Sequence, residues 1–164
     1  MRGVDEASRR QRAIDLLQRA YSEQMAGNGD EAIRLYQASL ACYPTAEAHT
    51  FLGWTYSFQQ RFDEAIEECK KAIALDPDFG NPYNDIGSYL IHQGQFDAAI
   101  PWLERAVAAQ RYEPRHYPHC NLGRVYEAKG MLQKAIEEFE KALVIAPEYA
   151  YAREALAHVR ARLN

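Results

Sequence analysis

Thr50 to Phe58 read TFLGWTYSF, more large apolar side chains than one helix face requires. At ~100° of rotation per residue, with Phe51 set at zero, Trp54 falls near ~300° and Phe58 near ~340°, a stripe roughly 60° wide. Leu52, Gly53 and Tyr56 fall near ~100°, ~200° and ~140°, on the opposite side. The pattern predicts a helix with two apolar faces. One is needed for packing within the fold, and the other is open to a second use.

The chain repeats itself. HTFLGWTY from His49 is echoed by YNDIGSYL from Tyr83 and HCNLGRVY from His119. Gly53, Gly87 and Gly123 lie 34 and then 36 residues apart, the second interval holding a two-residue insertion. A second echo runs DEAIRLY from Asp30, DEAIEEC from Asp63, DAAIPWL from Asp97 and QKAIEEF from Gln133. A third is the turn at Tyr43-Pro44, Asp76-Pro77, Glu113-Pro114 and Ala146-Pro147. The three signals keep one phase.

These residues predict helix pairs. Mid-helix glycine costs about 1 kcal/mol relative to alanine, so Gly53, Gly87 and Gly123 call for a compensating close approach of a neighbouring helix. Ala65, Ala99 and Ala135 are small for the same reason. Thr45 and Asn81 suit N-caps, and Pro82 suits a first helical position. Asp30, Asp63 and Asp97 set an anion at the start of each second helix, and Gly27, Gly94 and Gly130 mark the inner turns. The insertion from Gln110 to Glu113 is expected to lengthen the second helix of the third unit or loosen its turn.

The echoes resemble the tetratricopeptide repeat, W-x2-L-G-x2-Y followed by A-x3-F and then P, over roughly residues 13 to 149. The second unit matches with His49, Leu52, Gly53, Tyr56, Ala65, Cys69 and Pro77. The third matches with Tyr83, Ile86, Gly87, Leu90, Ala99 and Leu103. The fourth has His119, Leu122, Gly123, Tyr126, Ala135, Phe139 and Pro147. The first is degenerate, with Ala20 and Glu23 where glycine and tyrosine belong. The resemblance implies an all-α, right-handed superhelical α-solenoid of antiparallel helix pairs with a C-terminal capping helix. Its expected divisions are a polar extension (1–10), repeats at 11–45, 46–79, 80–115 and 116–149, and the cap (150–164).

Composition narrows the functional classes. The 164 residues are 48% hydrophobic and 26% charged, with a formal charge of −4 and no basic patch for nucleic acid. MRGVDEASRRQR lacks the apolar stretch of a secretory signal, and no later run has membrane-spanning length. Cys42, Cys69 and Cys120 are odd in number and widely spaced, so no disulfide framework and a cytoplasmic location are expected.

In the family, first helices line a concave groove. The resemblance therefore assigns Tyr21, Met25, Phe51, Trp54 and Phe58 to an aromatic end of that groove. Asn84, Asp85, Ser88, His92, Tyr117, Asn121 and Arg124 form its polar continuation, with Cys120 facing the groove. An extended peptide or helix of a partner protein is the expected ligand. The alternative is that Tyr21, Met25, Phe51 and Phe58 pack on one another as core. The family's carboxylate clamp needs cations where this chain has Leu17, Tyr21, Phe51, Asn81 and Asp85, so that role is excluded. A ladder of groove asparagines finds only Asn121.

No catalytic residue, cofactor or metal is expected. His116, His119 and Cys120 share a helix face without a second ligand set, and Glu64, Glu67 and Glu68 are read as an exposed acidic run. Trp102 is expected half-buried near Tyr112. A homodimer joined through the aromatic stripe, and an accessory role in an assembly such as a pilus, stand as rival functions.

Overall fold

Each helix pair is folded back by one residue in the left-handed region: Gly27 (φ 84°), Gln60 (59°), Gly94 (73°) and Gly130 (73°). The amide after each turn donates to the carbonyl five residues earlier, as in Asn28 to Glu23 at 2.9 Å and Gln95 to Leu90 at 2.8 Å. That satisfies a carbonyl the helix end leaves open. Glycine enters this region without a steric penalty, whereas Gln60 holds it at a cost of about 1 kcal/mol.

The computed structural model describes residues 2–163. The chain divides into two compact units, 1–77 and 78–164. The first holds α1 (Arg2–Met25), α2 (Gly29–Cys42), α3 (Ala46–Phe58) and α4 (Phe62–Leu75). The second holds α5 (Asn81–His92), α6 (Phe96–Ala108), α7 (His116–Ala128), α8 (Leu132–Ile145) and α9 (Ala150–Ala161). Within each unit successive helices pack as antiparallel pairs, and α9 lies unpaired against α8. Ala152, Leu156 and Val159 of α9 are buried there with Ile136 and Phe139. The stretch expected as a polar extension continues α1 as helix from Arg2, its residues 5–12 all exposed. Among the described residues no helix is long and apolar enough to cross a membrane.

The glycines sit where helices touch. A Cβ on Gly53 would lie 2.9 Å from the Ala65 carbonyl oxygen and 3.3 Å from Cys69 Sγ. On Gly87 it would meet Leu103 Cδ2 at 2.4 Å, and on Gly123 the Phe139 ring at 2.6 Å. Cys69, Leu103 and Phe139 are all buried. The first pair substitutes buried Ala20 and Tyr36, whose hydroxyl donates to Gln24 Oε1 at 2.7 Å.

A second slot repeats with two chemistries. His49 Nδ1 lies 2.6 Å from Glu68 Oε2, and Lys71 donates to Glu68 Oε1 at 2.6 Å. In the fourth pair His119, Glu138 and Lys141 make the same contacts at 2.7 and 2.6 Å. In the third pair the slot holds Tyr83 and Trp102, ring centroids 6.2 Å apart, with the Arg105 guanidinium 4.5 Å from the Tyr83 ring. Trp102 is thus half-buried as expected, with its ring against Tyr83. Glu64 and Glu67 are exposed, whereas Glu68 is buried, because its place in the pattern faces the first helix of its own pair.

The insertion neither lengthens α6, which ends at Ala108, nor loosens the turn. Phe79 and Arg111 form an isolated parallel bridge, with Gly80 donating to the Arg111 carbonyl at 2.9 Å and Arg111 to that of Asp78 at 3.1 Å. Tyr112 is buried against Gly80, where a Cβ would come within 2.4 Å of it. This loop sets the start of α5. The helix begins at Asn81 with Gly80 as its N-cap and no side-chain cap, so Asn81 is not the cap its type suggested. Thr45 does cap α3, accepting from the Ala48 amide at 3.2 Å.

Two outcomes are expected. Gly123→Ala forces the buried Phe139 ring to shift and should lower stability by about 1–3 kcal/mol in urea titration. Burial alone would raise the carboxyls of Glu68 and Glu138, but hydrogen bonds from His and Lys overcome it and hold both below their ordinary value. With the folded pKa lowered, their stabilisation is complete above the ordinary value of 4.5 and drains away as pH falls through the folded one. Glu68→Gln with Glu138→Gln should therefore lower the thermal midpoint more at pH ~7 than at pH ~3. A gap independent of pH would rule out this contribution.

Candidate functional site

Unit 1 carries an apolar face on α1 and α3. Ala13, Ala20 and Gln24 mark the buried side of α1, while Ile14, Tyr21 and Met25 remain 47%, 41% and 62% exposed. On α3, Leu52, Gly53 and Tyr56 are buried, Phe51 and Trp54 are half-buried, and Phe58 is 66% exposed. Phe51 is held from two sides. Tyr21 meets it edge-on at 5.5 Å between centroids, and buried Tyr36 stacks on it at 6.1 Å with 12° between planes. Trp54 and Phe58 lie 5.1 Å apart. The cluster is therefore divided: Phe51 is a packed floor, and Met25 and Phe58 remain open.

Unit 2 carries a polar counterpart on α5 and α7. Asn121 Nδ2 donates to Asn84 Oδ1 at 2.9 Å, and Arg124 Nη1 donates to Asn121 Oδ1 at 3.0 Å. Asn84, expected in an open groove, is buried beneath this chain of bonds. Arg124 pairs with no carboxylate among the described residues. Burial pushes the partly buried Asp85 carboxyl up to about 7, against the pull of a hydrogen bond from Asn84. Ser88 is partly buried and His92 exposed.

Tyr117 (38% exposed) and Tyr151 (41%) flank this strip, each in ring contact with Tyr149, at 5.7 and 6.1 Å. Cys120, expected to face the groove, is instead buried. Its thiol is pushed up to about 12, although Arg124 pulls the other way. Burial of this kind favours the neutral thiol over the nucleophilic thiolate. The face shared by His116, His119 and Cys120 comes apart in the fold. His119 turns to Glu138, while His116 packs on Tyr117 and Tyr149 and is held below its ordinary pKa by burial. Among the described residues no group of metal-binding side chains is found. The His–Glu–Lys sets were missed in the sequence, although His49, Glu68, Lys71 and His119, Glu138, Lys141 recur at one spacing.

The Asp85 shift gives a signed test. With the folded pKa raised above the ordinary 3.8, stability falls as pH rises from that value through about 7. Asp85→Asn should raise the thermal midpoint at pH ~8 and much less at pH ~4. An equal effect at both would show that the carboxyl ionises freely.

Family models described as tetratricopeptide repeat match residues 46–79 and 78–148. The crystal structure of MamA aligns at 31% identity with a TM-score of 0.73, covering 85% of this chain and 81% of that one. PilF of Pseudomonas aeruginosa aligns with a TM-score of 0.88 at 24% identity, over 94% of this chain and 70% of that one, a likeness of fold. Protein bimA of Emericella nidulans is 30% identical over 105 residues, which are 63% of this chain and 13% of bimA. This chain spans 10–24% of the curated relatives' length. Paired helices joined by left-handed turns, glycine contacts kept in phase and these matches lead to one conclusion: the chain belongs to the tetratricopeptide repeat family of helical protein-interaction scaffolds.

Proposed function

We propose that the chain binds a peptide or helix of a partner protein on its first helices, without catalysing a reaction. The open apolar stripe supports this most directly. Met25 and Phe58 stand more than half exposed on the two helices that carry Tyr21 and Phe51, whose ring is pinned from both sides, a rigid floor with adaptable edges. Tyr21, Met25, Phe51, Trp54 and Phe58 form the anchor, since aromatic side chains contribute much binding energy at low entropic cost. In unit 2, Asp85, Ser88, His92, Tyr117, Asn121 and Arg124 offer polar contacts, with Asn84 acting from beneath through Asn121. The net charge of −4 disfavours a phosphate backbone as ligand.

Self-association through the same stripe is the second reading, favoured by the apolar surface it leaves open. The fold likeness to PilF, at 24% identity, adds no assembly role.

The test is affinity capture from the source cells with wild type and a Met25→Ala, Phe58→Ala double variant. Both residues are exposed, so the variant should keep its melting temperature. Proteins retained by wild type and lost by the variant, at least tenfold in recovered amount, are expected. Equal recovery from both would remove the aromatic anchor. Light scattering on the two proteins separates out self-association, which would appear as a concentration-dependent dimer abolished by the variant.

A further inference from the structure

Near the start of unit 1 lies an open-mouthed cavity of about 330 Å³, between α1, the end of α2 and the start of α3. Ala13, Ile14, Leu17 and Tyr43 form its walls, and Arg10 and Glu47 stand at its rim. The polar atoms that could have lined it are turned elsewhere. The Ser39 hydroxyl donates to the Ala13 carbonyl at 2.7 Å, and Thr45 Oγ1 accepts the Ala48 amide. The Arg10 guanidinium binds Glu6 at 2.7 Å and lies 4.6 Å over the Tyr43 ring. What remains facing inward is carbon. A polar ligand entering would give up its water without a hydrogen bond in return, so the occupant is apolar. The volume is at the small end for ligand sites, room for one large side chain.

Ile14 and Leu17 also begin the exposed stripe of α1 that continues through Tyr21 to Met25. With full side-chain areas of roughly 150–250 Å², the exposed fractions of Ile14, Tyr21, Met25 and Phe58 leave roughly 300–550 Å². A stable dimer buries about 800 Å² on each partner, more than these side chains offer by themselves. A single segment accounts for the surface. We infer that the cavity is a socket for one leucine or phenylalanine side chain of the partner segment bound by this face. The inference rests on the proposed function and adds a second, distinct anchor to it. Ile14 and Met25 are eleven residues apart, about 16 Å along the helix. An extended segment covers that in about five residues. The partner would carry two apolar side chains on the same side of its chain, four or six residues apart.

The socket can be tested without the partner. N-acetyl-phenylalaninamide and N-acetyl-leucinamide serve as probes, with N-acetyl-lysinamide and sodium octanoate as comparisons. Methyl NMR of Ile14 and Leu17 reports the socket, and Trp54 emission in a Trp102→Phe background reports the aromatic anchor. The two apolar amides should shift both methyls with a dissociation constant on the order of 1 mM. Ile14→Asp should weaken this at least tenfold with an unchanged melting temperature, since Ile14 is exposed, and Ile14→Leu should restore it. No methyl shift up to about 50 mM probe, fiftyfold above that constant, overturns the socket. So does equal binding of the lysine amide, or indifference to Ile14→Asp. Tighter binding of octanoate would identify an acyl chain as the occupant and equally refute a side-chain socket. A socket that fills while capture ignores Met25 and Phe58 would sink the aromatic anchor alone. The opposite result would sink the socket alone.

Discussion

The rest of the structure depends on how closely the two helices of a pair approach at one point. In three pairs that point joins a glycine on the first helix to a residue sixteen positions later on the second: Gly53 and Cys69, Gly87 and Leu103, Gly123 and Phe139; buried Ala20 and Tyr36 stand at the same spacing in the first pair. At the three glycines a Cβ would come within 2.4–2.9 Å of the second helix: of Leu103, of the Phe139 ring and, at Gly53, of the Ala65 carbonyl oxygen, with Cys69 Sγ at 3.3 Å. The cost of mid-helix glycine, about 1 kcal/mol, is offset by an interhelix contact that no larger residue permits. The partner grows from Cys to Leu to Phe along the array, so the glycine is fitted to different volumes rather than to one shape. In the first pair Ala20 takes the glycine's place, and Tyr36 presents its ring face to Phe51 of the next pair.

A second position tolerates exchange of chemistry. It takes a hydrogen-bonded His–Glu–Lys set in the second and fourth pairs and a stacked Tyr–Trp–Arg set in the third. Both sets span the same two helices and leave no charge buried without a partner. The polar version ties stability to pH through Glu68 and Glu138. Buried ionic groups seldom exceed a well-packed apolar alternative in net stability. The third pair is one such alternative, within the same chain.

The two faces differ in how far their side chains are committed within the fold. In unit 1 the half-buried rings support exposed neighbours whose surface nothing in that unit covers. In unit 2 the polar side chains are linked to each other, so Arg124 presents its guanidinium from a braced position while burial makes the Asp85 carboxyl harder to ionise. A ligand meeting the first face gains from the loss of apolar surface, and one meeting the second must match hydrogen bonds already oriented.

The residues alone determined the helix pairs, their order and their contact points, because period, glycine phase and proline turns are local properties that survive without knowledge of neighbours. They also separated the packing side of α3 from its open side: Leu52, Gly53 and Tyr56 are buried, while Phe58 is not. Only the tertiary structure decided how deep each polar group lies. Glu68 and Asn84 look like surface residues from their own helices and are buried by adjacent ones, and Cys120 loses its route to solvent in the same way. The insertion after Ala108 was visible as two extra residues, but its pairing with Phe79 and Gly80 joins segments some thirty residues apart. The open-mouthed cavity at Ile14 and Leu17 is a space bordered by three helices. Periodicity gives the direction of a side chain about its own axis, and burial depends on what another helix brings to that side.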